Sequence, residues 1–102
     1  MTLKIIFMGT PEFSIPSLRL LNSNYDILSV YTQPPKKKSR GQKMYKTPIH
    51  LEAENLNIPV RYPENLDSET EFKFIKDSKV NYVVVVAYGQ IISKKFLSIK
   101  NL

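Results

Sequence analysis

Short apolar runs alternate with segments of helical spacing in the first third of the chain. Residues 3–8 form an apolar run that a Gly-Thr-Pro turn at 9–11 ends, and this pattern predicts a buried strand followed by a tight turn. Apolar side chains then recur at roughly helical intervals and predict a helix over about 14–23. Residues 26–32 predict a second strand, which ends before two prolines that cannot donate to a β-ladder.

The remaining two thirds continue the alternation. Thr47-Pro48 predicts a helix start, with threonine as the cap and proline at the first helical position. Residues 58–60 predict a short third strand. Ser68 and Glu71 have capping-box spacing and predict a helix over about 68–78. Residues 81–87 contain four consecutive valines, a run typical of a strand buried on both faces of a parallel sheet. Residues 93–99 predict a last short helix.

This order of elements predicts an α/β fold, an open parallel sheet with flanking helices. Ligands bind such sheets at the carboxyl ends of the strands. Here those ends are followed by residues 9–11, the stretch 33–46, which shows no periodicity and is expected to be a loop, and residues 88–90. A fully buried valine strand needs neighbours on both sides, and only about fifteen residues follow it. We therefore expect the fold to be truncated at its C-terminal side.

The positive charge of the chain is concentrated in one segment. The 102 residues carry a formal charge of +6, from 15 basic and 9 acidic side chains. Residues 33–47, called the basic segment below, contain six of the basic side chains and no acidic one, so the remaining nine are balanced. Such a run is commonly a solvated loop. Its arginine, lysines and tyrosine also suit contacts to phosphates and a stacked base, so a local anionic partner is the alternative.

Several classes of site are excluded by composition. There is no cysteine, which removes disulfides, thiol nucleophiles and thiolate metal sites and fits a cytoplasmic protein. The single histidine, His50, cannot form a histidine-rich metal site, and we interpret it as a surface or packing residue of its helix rather than a catalyst. The apolar runs are far shorter than a membrane-spanning helix or a signal-peptide core requires. We expect no metal and no membrane partner, and composition alone shows no complete catalytic constellation.

Five segments together resemble the methionyl-tRNA formyltransferase family, in the family's order and spacing over residues 3–97. They are Ile5-Ile6-Phe7-Met8-Gly9-Thr10-Pro11-Glu12-Phe13, Tyr31-Thr32-Gln33-Pro34 with Arg40-Gly41-Gln42-Lys43, Thr47-Pro48-Ile49, Asn57-Ile58-Pro59-Val60, and Val83-Val84-Val85-Val86-Ala87-Tyr88-Gly89-Gln90-Ile91-Ile92. Pro35, Gln42 and Ser93 depart from the residues usual in the family.

The resemblance implies a Rossmann-like formyltransferase fold and transfer of a formyl group from 10-formyltetrahydrofolate to the amine of initiator methionyl-tRNA. It implies that Gly9, Thr10, Pro11 and Phe13 line the site of the aminoacyl end. It implies that Arg40, Gly41, Lys43 and Lys46, in the basic segment, grip the tRNA acceptor stem. It implies that Tyr88, Gly89, Gln90 and Ile91 form a wall of the folate pocket.

The family's catalytic asparagine, histidine and aspartate have no counterpart in residues 1–102, and by the resemblance they would follow Leu102, as would a C-terminal β-barrel. We therefore expect residues 1–102 to be the N-terminal portion of a formyltransferase domain, inactive alone, from an enzyme that is monomeric at full length. Three alternatives stay open: a formyltransferase acting on a nucleotide-sugar amine, a non-catalytic tRNA-binding remnant, and a fragment that does not fold stably because the edge of its valine strand aggregates.

Overall fold

The order of strands and helices is that of an α/β fold in the computed structural model, which describes residues 3–37 and 43–99. The strands are β1 (Lys4–Gly9), β2 (Asp26–Tyr31), β3 (Lys36–Lys37), β4 (Met44–Tyr45), β5 (Val60–Arg61) and β6 (Tyr82–Val86). The helices are α1 (Ile15–Asn24), α2 (Pro48–Asn55), α3 (Glu69–Ser78) and α4 (Lys94–Leu97). A single 3₁₀ turn over Glu12–Ser14 precedes α1.

Four of the described strands form one parallel sheet in the order β5-β2-β1-β6. Strand β1 is central: Met8 pairs with Tyr31 of β2 on one side and with Val85 of β6 on the other. Strand β5 adds only two residues, Val60 and Arg61, beside β2. The predicted open parallel sheet with flanking helices is therefore confirmed, and all four strands end at the same edge.

Alternate side chains of β1 enter two different core clusters. Ile5 and Phe7 pack with the cluster that includes residues of α1 and α2, whereas Ile6 and Met8 pack with the cluster that includes residues of α3 and α4. All four side chains are at most 3% exposed. The sheet is thus covered on both faces at β1, which explains why this strand is a continuous apolar run.

Local signals in the sequence set the starts of the longer helices. The Thr47 hydroxyl caps α2 by accepting a hydrogen bond from the backbone N–H of His50 at 3.0 Å. The Ser68 hydroxyl caps α3 in the same way, from the N–H of Glu71 at 3.3 Å. Pro16 is tolerated because it lies in the first turn of α1, where its missing N–H has no intrahelical partner to lose.

Two expectations need correction. The expected loop over residues 33–46 contains the short antiparallel pair β3–β4, in which Lys36 lies opposite Tyr45. The valine strand β6 is not buried on both faces: Tyr82 is 55% and Val85 47% exposed. In the described sheet β6 pairs only with β1, so its other edge is open. An apolar groove of about 490 Å³ lies there, lined by Met8, Ile75, Tyr82, Val83, Val85, Ile92, Phe96 and Leu97.

Candidate functional site

The loops after β1, β2 and β6 meet at the carboxyl edge of the sheet. The Thr10 hydroxyl, just after β1, donates a hydrogen bond to the carbonyl oxygen of Tyr88, just after β6, at 2.6 Å. The same hydroxyl accepts a long hydrogen bond of 3.4 Å from the backbone N–H of Gln33, after β2. The Ser14 hydroxyl donates to the carbonyl oxygen of Val86 at 2.9 Å. The three segments that the sequence places at strand ends are therefore held together by side-chain hydrogen bonds to the backbone.

Two glycines at this edge permit close approaches. A Cβ on Gly9 would lie 2.8 Å from the ring of Phe7 and 3.0 Å from the carbonyl oxygen of Val86. Gly89 has a φ of +102°, which a residue with a side chain rarely adopts, and a Cβ there would lie 2.6 Å from Nε2 of Gln33. Both positions leave no room for a side chain without displacement of a neighbour.

The carboxamide of Gln90 links three segments. Its Oε1 accepts from the backbone N–H of Leu66 at 2.7 Å, and its Nε2 donates to the carbonyl oxygen of Pro63 at 3.0 Å. Nε2 also donates to Oε1 of Gln33 at 3.2 Å. The loop after β6 is thereby tied both to the segment before α3 and to the end of β2.

The other predicted site residues differ in exposure. Phe13 is 71% and Ile91 90% exposed, so both side chains are accessible to a ligand. Tyr88 is only 1% exposed: its ring lies in the core cluster of the α3 face, and its carbonyl oxygen is the atom that binds Thr10. Burial, with a smaller contribution from the charge of Glu71, raises the pKa of Tyr88 to about 12. The Tyr88 hydroxyl has no hydrogen-bond partner among the described residues.

The basic segment presents lysines of two kinds. Lys36, Lys37 and Lys43 are exposed. Lys46 is also exposed, but its Nζ lies 2.8 Å from Oε2 of Glu54 on α2, and that hydrogen bond lowers the pKa of the Glu54 carboxyl below its usual value. Arg40 and Gly41, which the resemblance assigns to tRNA contact, lie outside the described residues.

The start of α2 lies beside the carboxyl-edge loops, where the N–H of Ile49 donates to the carbonyl oxygen of Thr10 at 3.4 Å, but the His50 side chain turns to Tyr62, after β5. Its ring is 4% exposed and stacks against Tyr62 with 5.1 Å between ring centroids. Burial lowers the pKa of His50 below its usual value, partly offset by Glu54, whose Oε2 lies 3.6 Å from Nε2. Its Nδ1 has no partner among the described residues.

A buried acidic residue near the ends of β2 and β5 was missed in the sequence. Glu71 accepts a hydrogen bond of 2.6 Å from the Tyr31 hydroxyl and bonds of 2.8 and 3.3 Å from Nε and Nη2 of Arg61. Burial alone raises the pKa of Glu71, but these hydrogen bonds and the charge of Arg61 outweigh burial and lower it below its usual value. The capping-box spacing did point to Glu71, although as a helix cap rather than as a partner of β2.

Residues 3–37 and 43–99 contain neither a cluster of metal-ligating side chains nor a helix that could span a membrane. Within those ranges no three histidine, aspartate or glutamate side chains gather in a way that could hold a metal ion. None of the helices in that part of the chain is long and apolar enough to cross a membrane.

Comparison with known proteins gives a consistent result. The formyl transferase family profile matches residues 3–102. Methionyl-tRNA formyltransferases of Pelagibacter ubique, Rickettsia bellii and Clostridium acetobutylicum are 50%, 46% and 48% identical to this chain over 97%, 96% and 95% of its length. The chain spans about a third of the length of these relatives (33%, 33% and 32%).

A solved structure shows the same fold at low sequence identity. The phosphoribosylglycinamide formyltransferase of Streptococcus pneumoniae superposes with a TM-score of 0.64 and 12% identity, over 97% of this chain and 52% of that one. Its likeness concerns the fold alone. The family profile and the three relatives confirm the resemblance carried by the sequence motifs: the chain belongs to the formyl transferase family.

Proposed function

We propose that residues 1–102 are the N-terminal part of the formyltransferase domain of a methionyl-tRNA formyltransferase. The enzyme would transfer a formyl group from 10-formyltetrahydrofolate to the amino group of initiator methionyl-tRNA, in the cytoplasm. The names of the relatives, which are 42–50% identical over nearly all of this chain, support this reaction. No metal or further cofactor is part of the proposal.

The observation that carries the proposal is the hydrogen bond from Thr10 to the carbonyl oxygen of Tyr88. In the reaction the methionyl amine attacks the formyl carbon, loses a proton, and displaces the folate nitrogen. This step requires the amine and the formyl group to be bound side by side. The proposed aminoacyl-end residues follow β1, and the proposed folate-pocket residues follow β6. A 2.6 Å contact joins these two loops, so the two substrates would meet at one edge of the sheet.

The basic segment gives the tRNA its binding surface in this proposal. It begins at Gln33, beside both loops, and its six cations are not balanced by any acidic residue of the segment. One of them, Lys46, is paired with Glu54, and we propose that the other five contact phosphates.

We assign binding rather than proton transfer to this part of the enzyme. The sole histidine of the chain is stacked on Tyr62 and forms no side-chain hydrogen bond with the described loops after β1, β2 and β6, and the resemblance matches it to no catalytic residue. We propose that the remaining part of the formyltransferase domain packs on the open edge of β6 and on its apolar groove. This chain spans only about a third of its relatives' length, which supports the remaining part of the domain as the segment that covers this edge and groove. Residues 1–102 alone are then expected to give no turnover.

Binding of initiator methionyl-tRNA at increasing salt concentration tests the tRNA assignment. For duplex nucleic acid the logarithm of affinity falls with the logarithm of salt concentration by about 0.9 per neutralised phosphate. Five phosphate contacts give a slope of about −4.5 at the steepest. Removing two of them with Arg40→Ala and Lys43→Ala should make the slope shallower by about 1.8.

The control for this experiment is a second double variant, Lys73→Ala with Lys76→Ala, on the exposed side of α3. It removes the same two charges outside the basic segment, so the slope should stay near that of the unaltered chain. No tRNA binding at low salt, or equal effects of the two double variants, would contradict the assignment. If the chain binds tRNA in a salt-sensitive way, but an enzyme made by joining it to the rest of a relative's sequence transfers no formyl group, a non-catalytic tRNA-binding role would be favoured.

A further inference from the structure

The side-chain amide of Gln33 lies at the meeting point of the two proposed half-sites. Gln33 follows β2, its backbone N–H is bound to Thr10, and its Nε2 is 2.6 Å from the place a Cβ on Gly89 would occupy. The amide therefore lies against the backbone of the loop after β6. The missing side chain at Gly89 is what makes room for it.

The orientation of this amide follows from two backbone groups, one of which can only donate and the other only accept a hydrogen bond. The N–H of Leu66 can only donate, so it requires the oxygen of the Gln90 carboxamide. The carbonyl of Pro63 can only accept, so it requires the nitrogen of the same group. With Gln90 fixed in this way, its second N–H points to Gln33 and requires the oxygen there. The nitrogen of Gln33 must then be the atom over Gly89.

This fixed nitrogen has no acceptor in the part of the chain that the structure describes. No residue within 3–37 or 43–99 accepts a hydrogen bond from Gln33 Nε2, and Gln33 is partly exposed. Gln33 Nε2 is therefore an N–H donor of fixed direction at the carboxyl edge of the sheet. Open parallel sheets bind their ligands at this edge. A flip of the amide would place two N–H groups against each other at Gln90, so the donor cannot readily become an acceptor.

We propose that Gln33 Nε2 donates a hydrogen bond to a carbonyl oxygen of one of the two formyl-transfer substrates, and that Gln90 is the positioning residue that sets its direction. The inference rests on the proposed function and adds to it a specificity residue at the junction of the half-sites. The carbonyl has two sources, the aminoacyl ester of the tRNA and the formyl folate.

The substitution Gln33→Glu isolates the donor. A glutamate keeps an oxygen facing Gln90 and replaces only the nitrogen over Gly89, which turns a donor into an acceptor. It also adds a negative charge, so the matched control is Gln42→Glu, which adds the same charge to the same basic segment. Gln33→Met, compared with Gln42→Met, repeats the test without a change of charge.

Three probes separate the sources: methionyl-tRNA, the same tRNA uncharged, and 5-formyltetrahydrofolate. We expect Gln33→Glu to weaken binding of the carbonyl-bearing probe about tenfold more than Gln42→Glu does. A loss for methionyl-tRNA but not for uncharged tRNA identifies the ester, and a loss for the folate identifies the formyl donor. In the ¹⁵N-labelled chain, the Gln33 side-chain amide resonances should shift on binding, whereas those of Gln90 stay in place.

Equal binding by the two glutamate variants and by the two methionine variants, for all probes, would overturn the inference and leave the proposed function standing. If the Gln33 amide resonances do not shift when the chain is saturated with a probe that it binds, the inference is likewise overturned and the proposed function stands. If the unaltered chain binds none of the three probes, the assignment of tRNA and folate binding to residues 1–102 fails and this inference fails with it. The Gln90 amide resonances of Gln33→Glu serve as the folding control, because their chemical shifts stay away from random-coil values only where the internal hydrogen bonds persist.

Discussion

The packing of Gln33 over Gly89 predicts a specific stability cost for Gly89→Ala. Its first contribution is conformational: alanine at a φ of +102° costs about 1–2 kcal/mol. Its second contribution arises because the new Cβ would lie 2.6 Å from Nε2 of Gln33. The end of a glutamine side chain can move away, but the movement breaks its hydrogen bond with Gln90, worth about 1 kcal/mol. The sum is about 2–3 kcal/mol.

A double-mutant cycle separates the two contributions. In a Gln33→Ala background the contact with the new Cβ is gone, so Gly89→Ala should cost only the conformational part, about 1–2 kcal/mol. The assay is urea unfolding of the four chains followed by circular dichroism, with the midpoints compared at a shared slope. Equal costs of Gly89→Ala in both backgrounds would show that the Gln33 amide does not lie over Gly89 and would refute the reasoning.

Two further predictions concern the frame around the site. Glu71→Gln leaves Arg61 without its counterion and should cost about 3 kcal/mol of unfolding free energy at neutral pH. Because the pKa of Glu71 is lowered in the folded state, this cost should shrink as the pH falls from 4.5 through that lower pKa. A cost that does not change with pH in urea titrations would contradict this prediction. Thr47→Val removes the cap that accepts from the N–H of His50 and also the partner of the buried Thr32 hydroxyl, so it should cost about 2 kcal/mol, a fall of roughly 8–16 °C in thermal midpoint that Thr47→Ser should not show.

Much of the fold could be predicted because its signals are local. The apolar runs of β1 and β2, the caps at Thr47 and Ser68, and the turns after the strands are each encoded within a few residues. Their order implies a parallel sheet, and a parallel sheet brings the loops after its strands to one edge. The convergence of these loops was therefore accessible without coordinates.

The arrangement inside the site could not be predicted, since it depends on distant pairs. Gln33 and Gln90 are 57 positions apart, and neither has a local pattern that marks the other as its partner. Glu71 shows the same limit, because its helix-cap spacing conceals a carboxylate that binds β2 and β5. The exposure of Val85 was missed for another reason: a run of valines reports the apolar character of a strand but not how many neighbours it has.

A chimeric enzyme can test whether residues 1–102 are the N-terminal part of a methionyl-tRNA formyltransferase. Residues 1–102 of this chain would replace the matching third of the Pelagibacter ubique relative, to which they are 50% identical. Formyl transfer from 10-formyltetrahydrofolate to methionyl-tRNA is then measured for the chimera and for the 102-residue chain. We expect turnover by the chimera and none by the chain alone. A folded chimera without formyl transfer, or turnover by the isolated chain, would contradict it.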